Sequence, residues 1–402
     1  MHSSPFRALG HYRVLPQIVG WKALVVAFAA RAPYAMIPLG VMTAVSASTG
    51  SVAEGGYATA SVALSTAIAG PLIGKWADRR GQHVPLRVLT PINALALLGF
   101  AIAVVSGWSG IPLYLAGVLV GVTSLPIGSF TRSRWIAQTN VPHELGAALS
   151  YESMADELVF VLGPALVGIA ASAAFPTAPL FLSFLLVATA GVVFALTAPR
   201  IEVKKNSTAP KGPGVGKVLL SVAPAIVAMT SIGIYFGAIQ AATTMRAELA
   251  GYHGLAGLVY AAMGLGSAGM AIMTVAIPEK ITLPMRLVIS GIGMAVMIAV
   301  VSLMPNLPLT ALFLTGAGLF VGPSMVTAFT LTEKLAPEGG IAIAMTSMQS
   351  SITIGVSIGS GIGGWIAQNL ADTPTYLATA TAGILVALVG FTLNSKTLSE
   401  DR

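Results

Sequence analysis

Residues 151–164 read YESMADELVFVLGP, placing Glu152, Asp156 and Glu157 close together immediately before an uncharged run, VFVLGPALVGIAASAAF. That run is long and apolar enough for a bilayer interior. A charge at such depth costs about 2.5–3.5 kcal/mol on insertion scales unless it is paired, hydrated or neutralised. Carboxylates there therefore suit a proton relay or an internal ion pair. Arg31, inside VVAFAARAPYAMIPL, is the matching oddity. If the first span begins near Trp21 and the fifth near Gly146, Arg31, Asp156 and Glu157 all lie about three turns in, and Glu152 about one and a half. Glu152 and Asp156 share a helix face, while Glu157 points about 100° away. At this depth Arg31 is expected to pair with Asp156 or Glu157, Asp156 being favoured because its face continues to Glu152. Arg132 and Arg134 suit the depth of Glu152. One reading is a salt-bridge network that holds the bundle together; the other is proton coupling or substrate binding by Arg31, Asp156, Glu157 and Glu152. As an alternative, Arg31 faces an open cavity and captures an anionic substrate.

These residues need helices that cross a membrane, and the composition supplies them. The chain has 402 residues, 55% hydrophobic and 9% charged, with a mean hydropathy of +0.85. Soluble domains carry about a quarter charged residues. Continuous apolar runs recur at about 21–46, 55–75, 87–107, 111–135, 146–173, 177–197, 217–244, 254–277, 285–304, 307–332, 341–369 and 374–394, each about the length of a helical span. They do not alternate as barrel strands do. There is no cysteine, and the five histidines fall in loops or termini, so no metal site and no cofactor is expected. The first span reads as a retained helix, not a signal peptide.

The net charge of +7 is distributed as topology, not as a nucleic-acid surface. Arg246 alone falls on the far side and Arg31 within a span. The other lysines and arginines collect on the side of the termini, which the positive-inside rule makes cytoplasmic. The expected place is the cell membrane, with the lipid bilayer as partner, no nucleic acid and a monomeric chain.

Residues 198–216, APRIEVKKNSTAPKGPGVG, have a linker composition. They divide the chain into a 1–20 N-terminal segment, a 21–197 six-helix bundle, the linker, a 217–394 six-helix bundle and a 395–402 tail. Gly163 and Gly168 in the fifth span have the same separation as Gly359 and Gly364 in the eleventh, as related halves require. The expected fold class is all-α integral membrane: twelve helices in two six-helix halves related by a pseudo-two-fold axis along the membrane normal. Gly355, Gly359 and Gly363, Gly117 with Gly121, and Gly70 with Gly74 mark faces where helix backbones could approach closely. Pro33, Pro38, Pro126, Pro164, Pro224 and Pro323 lie within expected spans, where each removes a backbone hydrogen bond.

The loop after the second span, GKWADRRGQHVPLR (74–87), combines turning glycines with charges at helix ends. Asp78 suits a neighbouring helix N-terminus. The stretch resembles the signature G-x-x-x-D-R-x-G-R-[KR] of the major facilitator superfamily. Gly74, Asp78, Arg79 and Gly81 match, while Gln82 and His83 depart from the usual basic pair. The resemblance covers essentially the whole chain and implies that these four residues gate the cytoplasmic side. LGPALVG (162–168) is similar to the fifth-helix element of drug/proton antiporters at Gly163, Pro164 and Gly168. The fourth-helix arginine of that group is missing from VLVGVTSLPIGSF. The resembled fold makes the first and fifth helices neighbours. Its pore-lining helices carry Tyr34, Tyr235, Gln240 and Thr327 as substrate-cavity candidates, with Tyr260, Met263 and Gln349 at the sides.

The resemblance implies a secondary active transporter, a proton-coupled exporter of a small amphipathic compound working by alternating access, with protons and that small molecule as partners. A proton-coupled uptake symporter and a non-transporting receptor or scaffold on the same fold are the alternatives. No nucleophile–base pair or phosphate loop points to an enzyme or to ATP drive.

Overall fold

A computed structural model describes residues 15–138, 142–197, 213–274, 277–278, 280–337 and 340–400, apart from scattered side chains within those ranges. The long helices are α1 (Trp21–Thr49), α2 (Val52–Arg80), α3 (His83–Val105), α4 (Gly110–Val122 and Ile127–Gln138), α5 (Pro142–Ala173) and α6 (Ala178–Leu196). The second half contributes α7 (Ala223–Leu249), α8 (Ala256–Met273), α9 (Leu283–Ser302), α10 (Leu307–Leu335), α11 (Ile341–Leu370) and α12 (Asp372–Glu400). Among the described residues, ten of them are long and apolar enough to cross a membrane, and Leu158–Ala173 of α5 and Ala256–Ala271 of α8 give shorter apolar stretches.

Local chemistry sets several boundaries. Ser51 starts α2 by accepting from Glu54 N at 3.3 Å, and Asn306 starts α10 by accepting from Leu309 N at 3.0 Å. Gly81 ends α2 at φ 83°, where its N–H bonds Ala77 O at 2.8 Å. A side chain would be strained there. Two proline expectations shift. Pro126 does not merely kink α4; residues 123–126 leave the helix, as the ring disfavours the α region for Leu125. Pro224 lies in the first turn of α7, where its missing N–H has no partner to lose, after a separate short helix at Val215–Ser221.

The halves meet through α2 against α11 and α5 against α8. The glycine pairs show the two-fold relation at the level of atoms. A Cβ on Gly163 would lie 2.8 Å from Ala35 Cβ on α1, and Gly359 meets the Ile234 backbone on α7 in the same way. A Cβ on Gly168 would lie 2.5 Å from Leu258 N on α8, and one on Gly364 2.9 Å from Val52 O on α2. Each pair thus packs first on the opening helix of its own half, then on the second helix of the other. Gly355 and Gly363 also lie against α7, and Gly117 and Gly121 against α2. Gly70 and Gly74 face open space, so that expected close approach does not form.

Among the described residues, the hydrogen bonds between halves are Val52 N to Gln368 Oε1, 2.7 Å, and Ser357 Oγ to Ala60 O, 2.9 Å. Both, like the Gly168 and Gly364 contacts, lie toward the end of the bundle away from Trp21 and Pro142.

Candidate functional site

Arg31 is 5% exposed and Glu152 1%. Arg31 Nη2 donates to Glu152 Oε2 and to Thr131 Oγ1; Nη1 lies 3.4 Å from Asp156 Oδ1. Glu152 also accepts from Thr131 and from Trp135 Nε1, the latter at 2.7 Å. Thr131 and Trp135 are one turn apart on α4, as Glu152 and Asp156 are on α5, so two matched faces meet. Arg132 Nη2 donates to Asp156 Oδ2 at 2.6 Å, and this outer pair is about one-third exposed. Gly128 makes room for it: a Cβ there would lie 3.2 Å from Arg132 Nη1 and 3.5 Å from Asp156 Oδ1. Among the described side chains, two arginines therefore balance two carboxylates, in a buried tier and a partly exposed one.

This pairing keeps the expected Arg31–Asp156 contact and corrects the rest of the sequence expectation. The main partner of Arg31 is Glu152, with Asp156 a longer contact, and the partner of Arg132 is Asp156. The reason is where α5 starts. It begins at Pro142, a turn before Gly146, so Glu152 and Arg31 are each the tenth residue after the first of their helices and share a depth of about 15 Å. Arg134 turns away, donating to Gln82 Oε1 at 3.1 Å and lying 4.0 Å over the Phe194 ring. The side chains of Glu157, Asp78 and Arg79 lie outside the described residues.

One turn beyond Arg31 on α1 is Tyr34, and one turn beyond Asp156 on α5 is Phe160. Both line a cavity of about 90 Å³ between the halves. Gln240, Tyr260 and Met263 line it from the second half, as does Pro164 of the Gly163–Gly168 element from the first. Tyr34 meets the Leu125 backbone where α4 is broken. Gln240 is 6% exposed, and its Oε1 has no hydrogen-bond partner. Three expected cavity residues stand elsewhere. Tyr235 is fully buried and donates to Met294 O at 3.1 Å. Thr327 is buried without lining the cavity, and Gln349 is exposed. Sequence reasoning missed Phe160, Phe236 and Met325, which line the cavity but look like ordinary packing residues in an apolar run.

It also missed a second ion site. Arg246 Nε donates to Asp372, Nη1 to Val301 O at 2.8 Å and Thr310 Oγ1 at 3.0 Å, and Nη2 to Ser302 O at 3.1 Å. Its guanidinium lies 4.6 Å over the Tyr376 ring. One side chain so ties α7, α9, α10 and α12 together. Its standing alone on the far side of the positive-inside pattern was the available signal.

The comparisons agree with this geometry. Residues 23–339 match the family model of the Major Facilitator Superfamily. Two solved structures of the nucleoside transporter NupG, one a point mutant, have the same fold. The mutant gives a TM-score of 0.73 at 14% identity, covering 92% of this chain and 98% of that one. The other gives 0.70 at 14%, covering 92% and 97%. No curated protein matches the sequence. At that identity the structural likeness speaks for the fold alone. The family match spans most of the helices, and the chain belongs to the Major Facilitator Superfamily, as a multi-pass secondary transporter.

Proposed function

We propose that the chain is a proton-coupled exporter of a small amphipathic organic compound, working in the cell membrane as a monomer with both termini cytoplasmic. The observation that carries this reading is Asp156, a carboxylate shared by Arg31 and Arg132, about one-third exposed and one turn from the cavity-lining Phe160. Intramembrane ionisable groups line pathways or relays. A proton on Asp156 cancels its charge and loosens its hold on both arginines, so Arg132 on α4 is freed at the partly exposed end of the cluster. Glu152 keeps Arg31 in place meanwhile, because it is buried and held by three donors. Closure away from Trp21 and Pro142, through Gly168 and Gly364, supports alternating access. The gate roles of Gly74, Asp78, Arg79 and Gly81 and the antiporter-like role of Gly163, Pro164 and Gly168 come from the motif resemblance.

A substrate screen in proteoliposomes with a pH gradient of either sign tests the reading. Compound should move against the proton flow, reverse with the gradient and lose that dependence in Asp156→Asn. Transport indifferent to the gradient removes proton coupling; movement with the protons makes the protein a symporter.

A further inference from the structure

The cavity between the halves offers hydrogen bonding without charge. Among the described residues, none of its lining side chains is ionised at neutral pH. Tyr34, Phe160, Phe236 and Tyr260 bring four aromatic rings to it. Met263 and Met325 add thioethers, which adapt to irregular shapes. The charges one turn away are already balanced: both terminal nitrogens of Arg31 bond Thr131, Glu152 and Asp156, leaving its buried Nε unpartnered, and Asp156 also holds Arg132. A charged group entering this cavity would lose hydration and find no free counter-ion.

Gln240 carries an unmet acceptor in this wall. Its amide nitrogen is engaged by the Tyr260 side chain, which leaves Oε1 buried and without a partner beside the cavity. An acceptor left in that state costs about 1–3 kcal/mol, and a donor on a bound molecule removes that cost. We propose that the compound recognised between the halves is uncharged, with a flat apolar body among the aromatic rings and an N–H or O–H that donates to Gln240 Oε1. This rests on the transport reading above and supplies its substrate class. It also turns away from the anionic capture by Arg31 that the sequence left open.

Indole, 1-methylindole, indole-3-acetate and tryptamine are matched probes, sharing one ring system while differing in donor or charge. Equilibrium binding to the full chain in lipid nanodiscs should favour indole over 1-methylindole by about 10- to 100-fold, and over both charged probes. In Gln240→Met, which keeps the side-chain length, the indole preference should fall to about unity while 1-methylindole binding stays as in the parent. Gln240→Leu should repeat the result. Tighter binding of a charged probe, a preference that survives both substitutions, or no binding of indole by the parent overturns the proposal. So does loss of both indoles in both variants, since Gln240 would then be structural. No gradient is present, so this experiment can fail while pH-driven transport stands, and the reverse.

Discussion

Arg31 and Glu152 stand level across the interface of α1 and α5, and each is the most buried charge of its sign in the N-terminal cluster. That leaves Asp156, one turn further along, to divide itself between Arg31 and the more exposed Arg132. One tier is buried between the helices and the other is about one-third exposed.

Removing one member of the inner pair strands a buried charge. Arg31→Met or Glu152→Met alone should lower stability by about 3–5 kcal/mol, read as thermal unfolding in detergent. The double variant should recover a large part of that loss. A double-mutant cycle should give stronger coupling for Arg31 with Glu152 than with Asp156. Equal coupling to both acids would mean that the tiers are not distinct.

The outer tier should behave differently. Asp156→Asn keeps the shape and a hydrogen-bond acceptor, so thermal stability should change little. Gradient-driven transport should fall by about tenfold or more, with binding measured without a gradient retained. A variant that still responds to the pH gradient like the parent would take the proton role away from Asp156.

Valine at Gly168 or Gly364 puts methyl groups where the backbone of the opposite half now lies. Each substitution should shift the population away from closure at that end by about tenfold. The chain has no cysteine, so spin labels on cysteines introduced at Trp108 and Leu303 report the separation of the halves without background. A longer mean distance is expected in both variants. An unchanged distribution would show that the closure does not depend on these contacts.

At the far end, Arg246→Lys retains the charge but cannot reach Asp372, Val301, Thr310 and Ser302 from one planar group. A stability loss of about 1–3 kcal/mol is expected, with indole-probe selectivity unchanged. A lysine variant as stable as the parent would reduce Arg246 to a simple point charge.

Asp78→Asn tests the gate that the motif implies. Turnover should fall while the affinity for a transported compound is kept. Equal turnover would separate this loop from its family role.

The membrane class, the helical spans and the division into halves were legible in the sequence because they follow from local quantities. Apolar run length decides whether a segment can cross a bilayer, and equal glycine spacing at 163/168 and 359/364 marks related helices. The unusual residues were legible too, because Arg31, Glu152 and Asp156 are costly wherever they sit in an apolar run. Their partners were not. Choosing Glu152 over Asp156 for Arg31 depends on where α5 begins, and a shift of four residues at that start moves every side chain on it by a full turn. Nor does a sequence show that Tyr235 turns to Met294 while Gln240 keeps a buried oxygen free. Tyr235 and Gln240 are on one helix, and only the packing of α7 against its neighbours decides which side chain meets a partner and which meets a cavity.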